Sequence, residues 1–151
     1  QPFERLHAFR PDLGFRRATT RLPEAPVYHG DFTTAGGRRV AERIIAAGGV
    51  PRALVCANDQ TAIGVMAALQ QAGLSVPRDV AVTGFDGIML GRHLHPSLTT
   101  VVQPMAALGD TAVAMLTDRV GGPGPPRLTL PRRTVELPVR LELRGSCGCP
   151  Q

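Results

Sequence analysis

Along most of its length the chain alternates short apolar runs with stretches in which apolar residues recur every three or four positions. Pro26-Val27-Tyr28-His29-Gly30 reads as a short strand closed by a glycine turn. Thr33 or Thr34 then caps a helix to about Ala47, with Val40, Ile44 and Ile45 on one face and Gly48-Gly49 as its stop. Ala53 to Ala57 is unbroken apolar sequence, the pattern of a parallel strand covered on both faces. From Asp59 to Ala72, residues Ala62, Ile63, Met66 and Leu69 fall at helical spacing, and Gly73 ends the run. After the break at Val76-Pro77, Asp79 to Gly84 gives the next buried strand. This order predicts βαβ units and an α/β fold with a doubly wound, mostly parallel sheet. Ligands bind such sheets beyond the carboxyl ends of the strands. Gly30-Asp31-Phe32, Asn58-Asp59 and Phe85-Asp86 are therefore expected side by side on one rim.

The rhythm then changes. Leu98 to Val102 is rich in β-formers, Pro104 opens a helix to about Val120, and Gly121 to Pro126 has no helical option. Arg132 to Arg144 alternates like a strand, but Pro138 interrupts it. A strand broken by proline fits a crossing between two lobes better than a central strand.

The chain's 151 residues allow one domain of ordinary size. No apolar run approaches the ~20 residues that span a bilayer. The opening Gln1-Pro2-Phe3 lacks an initiator Met and reads as part of a longer protein. The net charge of +5 comes entirely from arginine, since all 17 basic residues are Arg. These are scattered, and one Tyr and five Phe give little of the aromatic interleaving that stacks bases. DNA contact is not assigned to this segment. Cys56 lies in an apolar run, where an inert buried thiol is expected, and Cys147-Gly148-Cys149 reads as a reduced, exposed tail.

Several residues invite chemistry. An ionised Asp86 accepts only, and its two oxygens suit a pair of adjacent hydroxyls; the competing reading is a cap on the turn at Gly87. Asn58 either meets a ligand or caps the helix that follows, with Asp59 turned toward the helix start. Phe32 either covers a flat ligand face or packs in the core. His29, His93 and His95 accompany no nucleophile at a recognisable elbow, so no catalytic residue is assigned. Neither phosphate-cradling glycine spacing occurs, and the cysteine tail lacks further ligands, so no cofactor or metal is expected.

The segment from Leu54 to Ile88, LVCANDQTAIGVMAALQQAGLSVPRDVAVTGFDGI, resembles the lactose/galactose-repressor-type (LacI/GalR) family of bacterial transcription regulators. PSLTTVVQPMAALGDTAVAML, LPVRLELRGS and GDFTTAGG continue the resemblance in order. It implies a two-lobed, type I periplasmic-binding-protein-like body, here incomplete. Residues 1–101 would be the C-terminal lobe without its first strand, 102–137 an excursion into the N-terminal lobe, and 138–151 the return strand and tail. The family implies ligand contacts at Asp86, Asn58, Gln103, Phe32 and Arg5, with Gln103 a ligand or hinge contact. Arg5 rests on ERLHAFR matching an R-x-x-G-F helix, for which Gly14-Phe15 is a rival match without the Arg. The implied function is that of a cytoplasmic repressor fragment sensing a small sugar-like effector, not an enzyme. Operator DNA would be met by an N-terminal domain that this chain does not contain. A homodimer is implied, with the Asp59–Ala72 helix and the Ile88–Pro96 loop as candidate surfaces. The alternative is a periplasmic sugar-binding protein of a transporter, which shares the fold.

Overall fold

The computed structural model describes residues 26–120 and 133–149. Helix α1 (Thr34–Ala46) starts where Thr33 Oγ1 accepts from Gly36 N at 2.9 Å, and it ends before Gly48, at φ 70°. Strand β1 (Ala53–Val55) leads into helix α2 (Asp59–Gln71), which stops before Gly73 at φ 76°. Strands β2 (Ala81–Asp86) and β3 (Thr99–Val102), helix α3 (Met105–Val120) and strand β4 (Arg140–Glu142) follow. The sheet order is β1-β2-β3-β4, with β1, β2 and β3 parallel and β4 antiparallel to β3. This is the expected mostly parallel α/β sheet.

Two strand expectations need correction. Pro26–Gly30 is exposed and forms no strand, because no described strand lies beside it to complete a hydrogen-bond ladder. The β1 segment is not covered on both faces: it is an edge strand among the described residues, and Val55 is 84% exposed. On β2 only alternate residues, Val82 and Gly84, are buried. The expected start of β2 at Asp79 also moves. Asp79 instead closes the preceding turn, its Oδ2 accepting from Ser75 N at 2.7 Å. The long alternation from Arg132 shrinks to Arg140–Glu142, where β3 supplies a partner.

The core is a sandwich of helices on one face of the sheet. Ala41 of α1 and Ala62, Val65, Met66, Ala68 and Leu69 of α2 pack with Val80, Val82 and Leu98. The two helices touch backbone to backbone. A Cβ on Gly37 would stand 2.2 Å from the Thr61 carbonyl oxygen, and one on Gly64 would stand 1.9 Å from that of Thr34. Helices this close leave no room for a methyl group.

At the carboxyl end of the sheet a buried carboxylate ties the elements together. Asp59 is fully buried; its Oδ2 accepts from Gly87 N at 2.9 Å and Ile88 N at 2.8 Å, and its Oδ1 from Thr100 Oγ1 at 2.6 Å. The expectation that Asp59 serves the helix start is therefore wrong. Its side chain leaves α2 and joins β2 to β3, while Asn58 caps the helix. Gly84 makes the approach possible, since a Cβ there would lie 2.2 Å from Asp59 Oδ1. Burial, together with the Asp59 charge, pushes the neighbouring Cys56 thiol up to about 12, leaving it protonated and unreactive.

The tail fastens the opposite ends of the same strands. Ser146 Oγ donates to Val82 O at 2.6 Å and accepts from Thr99 N at 2.8 Å. Thr99 Oγ1 accepts from Arg144 N and donates to Arg144 O. The Arg-Gly-Ser sequence is thus a clip across β2 and β3.

Three substitutions test this packing by chemical denaturation. Gly64→Ala is expected to cost about 1–3 kcal/mol by overpacking the α1–α2 contact. Gly49→Ala, with open space around its Cβ, stays within about 0.5 kcal/mol of the parent. Thr100→Val, which keeps the shape and removes a donor to a charged group, is expected to cost about 2 kcal/mol; an unchanged midpoint would show that the Asp59 tie does not hold β3.

Candidate functional site

The three chain segments expected on one rim do meet. Asn58 is the N-cap of α2: its Oδ1 accepts from Thr61 N at 3.0 Å, and its Nδ2 donates to the Phe32 carbonyl at 2.9 Å. The amide so joins the loop before α1 to the start of α2. Thr34 Oγ1 donates to Gln60 Oε1 at 2.7 Å and reinforces the same junction. From Asp59, two bonds run on to the turn after Asp86. Of the two readings of Asn58 the cap is made, and one amide hydrogen has no partner among the described residues.

Asp31 holds the loop itself. Its Oδ1 accepts from Thr33 N and Oγ1, and its Oδ2 from the Arg39 guanidinium at 2.6 Å. The hydrogen bond from the Thr33 hydroxyl, ahead of the Arg39 charge, keeps this carboxyl below the usual aspartate range. Gly36 is required beside it, since a Cβ would reach within 1.8 Å of Asp31 Oδ1. Asp31 therefore shapes the loop that presents Phe32.

Asp86 ends β2 with φ at 116°, and Phe32 has φ at 62°. These are the two non-glycine residues with positive φ among the described residues. Each such backbone costs on the order of 1–3 kcal/mol and persists only where its surroundings hold it. For Asp86 the holder is Gln103, whose N donates to the Asp86 carbonyl at 3.2 Å and whose Nε2 donates to Asp86 Oδ1 at 2.7 Å. For Phe32 the holder is Asn58. Phe32 is 65% exposed, so it does not pack in the core. Asp86 Oδ2 has no hydrogen-bond partner among the described residues. Gly87, at φ 78°, turns the chain over Val102 immediately after.

Four of the five sequence-predicted site residues thus stand on this rim or at its edge: Phe32, Asn58, Asp86 and Gln103. Arg5 lies outside the described residues. What the sequence reading missed is Thr100 beneath the rim and the bond it makes to Asp59. The available signal was Thr99-Thr100, two hydroxyls inside an otherwise apolar strand that has to bury them.

The site can offer a carboxylate oxygen as acceptor, an amide hydrogen as donor and an open aromatic face, on a floor fixed by backbone bonds. No described group of three or more His, Cys, Asp or Glu side chains is arranged to hold a metal ion.

Comparison with known proteins agrees with this architecture. Residues 4–147 match the model of the periplasmic binding protein-like domain. The chain is 41% identical over 120 residues to the HTH-type transcriptional repressor MelR of Bacillus subtilis, covering 80% of this chain and 33% of that protein. The chain spans about a third of the length of the curated relatives it matches. The crystal structure of the Lac repressor dimer bound to operator and the anti-inducer ONPF superposes with a TM-score of 0.67 at 32% identity, over 78% of this chain and 34% of that one. A LacI-family regulator from Enterococcus faecium with bound ribose gives 0.61 at 31%, over 78% and 41%. With nearly its whole length matched, the chain belongs to the periplasmic binding protein-like domain family, in the form carried by LacI-type transcription regulators.

Proposed function

We propose that this chain supplies one half of the effector cleft of a DNA-binding transcription regulator, and that the effector is a small sugar-like molecule. The observation that carries the reading is the strain at the rim: Phe32 and Asp86, both in left-handed backbone, are held in place by Asn58 and Gln103. Strained backbone gathers where a side chain must be aimed at something other than its own fold. Asp86 Oδ2 is the acceptor for ligand hydroxyls, the spare Asn58 amide hydrogen is a donor, and the exposed Phe32 ring lies over a flat ligand face. Gln103 acts by fixing the Asp86 carboxylate at the crossing between lobes. Arg5 is proposed as a further contact. The ribose in the Enterococcus faecium regulator supports the sugar class.

The other half of the cleft belongs to a first lobe. Residues 1–101 form the C-terminal lobe, 102–137 enter the first lobe, and 138–151 return. Supporting this division, no residue of α3 is buried, and Met105, Leu108, Val113, Leu116 and Val120 are exposed. An apolar helix with no cover of its own needs another layer. Effector binding would favour one arrangement of the lobes by the difference in its affinity for the two. That shift would pass to operator DNA through an N-terminal domain of the kind that names MelR HTH-type.

The regulator acts as a homodimer in the cytoplasm on this reading, as the Lac repressor is a dimer on its operator. The two candidate surfaces come together: Ile63, Met66 and Gln70 of α2 and His93 to Pro96 line one depression of about 610 Å³. Met89 and Leu90 are exposed beside that loop in sequence. The core-facing side of α2, by contrast, is spent on α1 and β2. Among known relatives the resemblance runs to repressors, which favours a regulator over a transporter's binding protein or an enzyme.

A thermal-shift screen of the intact protein against sugars and nucleobases will identify the effector. Asp86→Ala is then expected to abolish binding in calorimetry while the free protein, at a somewhat lower midpoint, still unfolds in one cooperative transition. Unchanged affinity in that variant contradicts the assignment.

A further inference from the structure

The three residues that follow the Ser146 clip are not used by the cleft or by the sheet. The chain passes from buried Ser146 through Cys147, turns at Gly148 with φ at 70°, and reaches exposed Cys149. That left-handed turn brings the Cys149 amide to 3.2 Å from Cys147 Sγ, as donor to the sulfur. Cys147 Sγ also lies 3.5 Å from the Arg144 carbonyl, to which the thiol donates. Glycine at the middle position is needed twice. It takes the positive φ, and its missing side chain leaves room beside Pro77, 3.3 Å from where a Cβ would stand. The turn thus folds the Cys149 backbone back onto the Cys147 sulfur, next to the buried clip, with Cys147 half-buried and Cys149 exposed.

We propose that Cys147 and Cys149 form a reversible dithiol–disulfide site that exchanges with small thiol-disulfide couples of the glutathione class. The Cys147 thiolate attacks one sulfur of the oxidised couple, breaking its S–S bond, forming a mixed disulfide and releasing one thiol. The Cys149 thiolate then attacks Cys147 Sγ, forming the intrachain bond and releasing the second thiol. Two electrons pass from the protein to the couple, and the two protein thiol protons leave with the released thiols. The order follows from the surroundings of the sulfurs. Partial burial alone would raise the Cys147 thiol, but its hydrogen bonds with Cys149 and Thr99 bring it below the usual range, while the same pairing raises Cys149. Cys56, buried in the core, takes no part.

The test equilibrates the reduced intact protein in glutathione buffers of rising oxidised fraction, quenches with acid and labels free thiols with a maleimide for peptide mass analysis. The expected result is the joint loss of both labels from the peptide carrying Cys147 and Cys149, without dimer formation, and full recovery in reduced glutathione. Cys149→Ser should instead accumulate a stable glutathione adduct on Cys147. Cys147→Ser, which lacks the attacking thiol, should form no intrachain bond at any oxidised fraction. The proposal is overturned if both thiols stay labelled throughout, if the disulfide joins two chains, or if Cys149→Ser gathers no adduct. Effector binding does not enter this readout, so failure here and failure of the cleft assignment are separable.

Discussion

A carboxylate removed entirely from water is tolerable only when hydrogen bonds replace the water it has lost, and Asp59 is such a group. Three donors from two places in the chain converge on it: the amides of Gly87 and Ile88 after β2, and the Thr100 hydroxyl on β3. Since Asp59 is also the first residue of α2, the start of that helix, the end of β2 and the middle of β3 are fixed relative to one another. Everything presented at the rim stands on this point. Asn58, one residue before, inherits its position and captures the loop carrying Phe32. Asp86, one residue before the bonded amides, is left facing outward.

The glycines belong to the same constraint. Gly84 leaves the space into which the Asp59 carboxylate enters, and Gly37 and Gly64 let α1 lie directly on α2. The loop between Asp31 and Thr34 is thereby drawn against the α2 N-terminus, where Asn58 can reach it. Helix contact and rim geometry are consequences of one close approach. At the other end of β2 and β3, the Ser146 clip does with a neutral hydroxyl what Asp59 does with a charge.

Much of this was legible in the sequence, for local reasons. The boundaries of α1 and α2 follow from Thr33 and Asn58 as caps and from Gly48 and Gly73 as stops, all set by residues within a turn of the boundary. The rim was legible because strand ends in a parallel sheet share one side. The assignment of roles between Asn58 and Asp59 was not. Both are good helix-start residues, and only the pairing of β1 with β2 and of β2 with β3 brings Gly87, Ile88 and Thr100 to the second of them. Pro26–Gly30 has strand composition but no described neighbour, and a strand is a property of a pair. The apolar run at β1 predicts cover on both faces, which the described residues do not provide.

The rim is rigid beneath and open above, and the proposed function gives the strain held at Phe32 and Asp86 its purpose, the aiming of both side chains at a ligand. Amide hydrogen exchange of the intact protein, with and without its effector, examines that claim at the positions concerned. Added protection is expected at Asp31 to Thr34, around Asn58, at Asp86 to Ile88 and at Gln103. Protection confined to the depression between α2 and His93–Pro96, with these four segments unchanged, would contradict it.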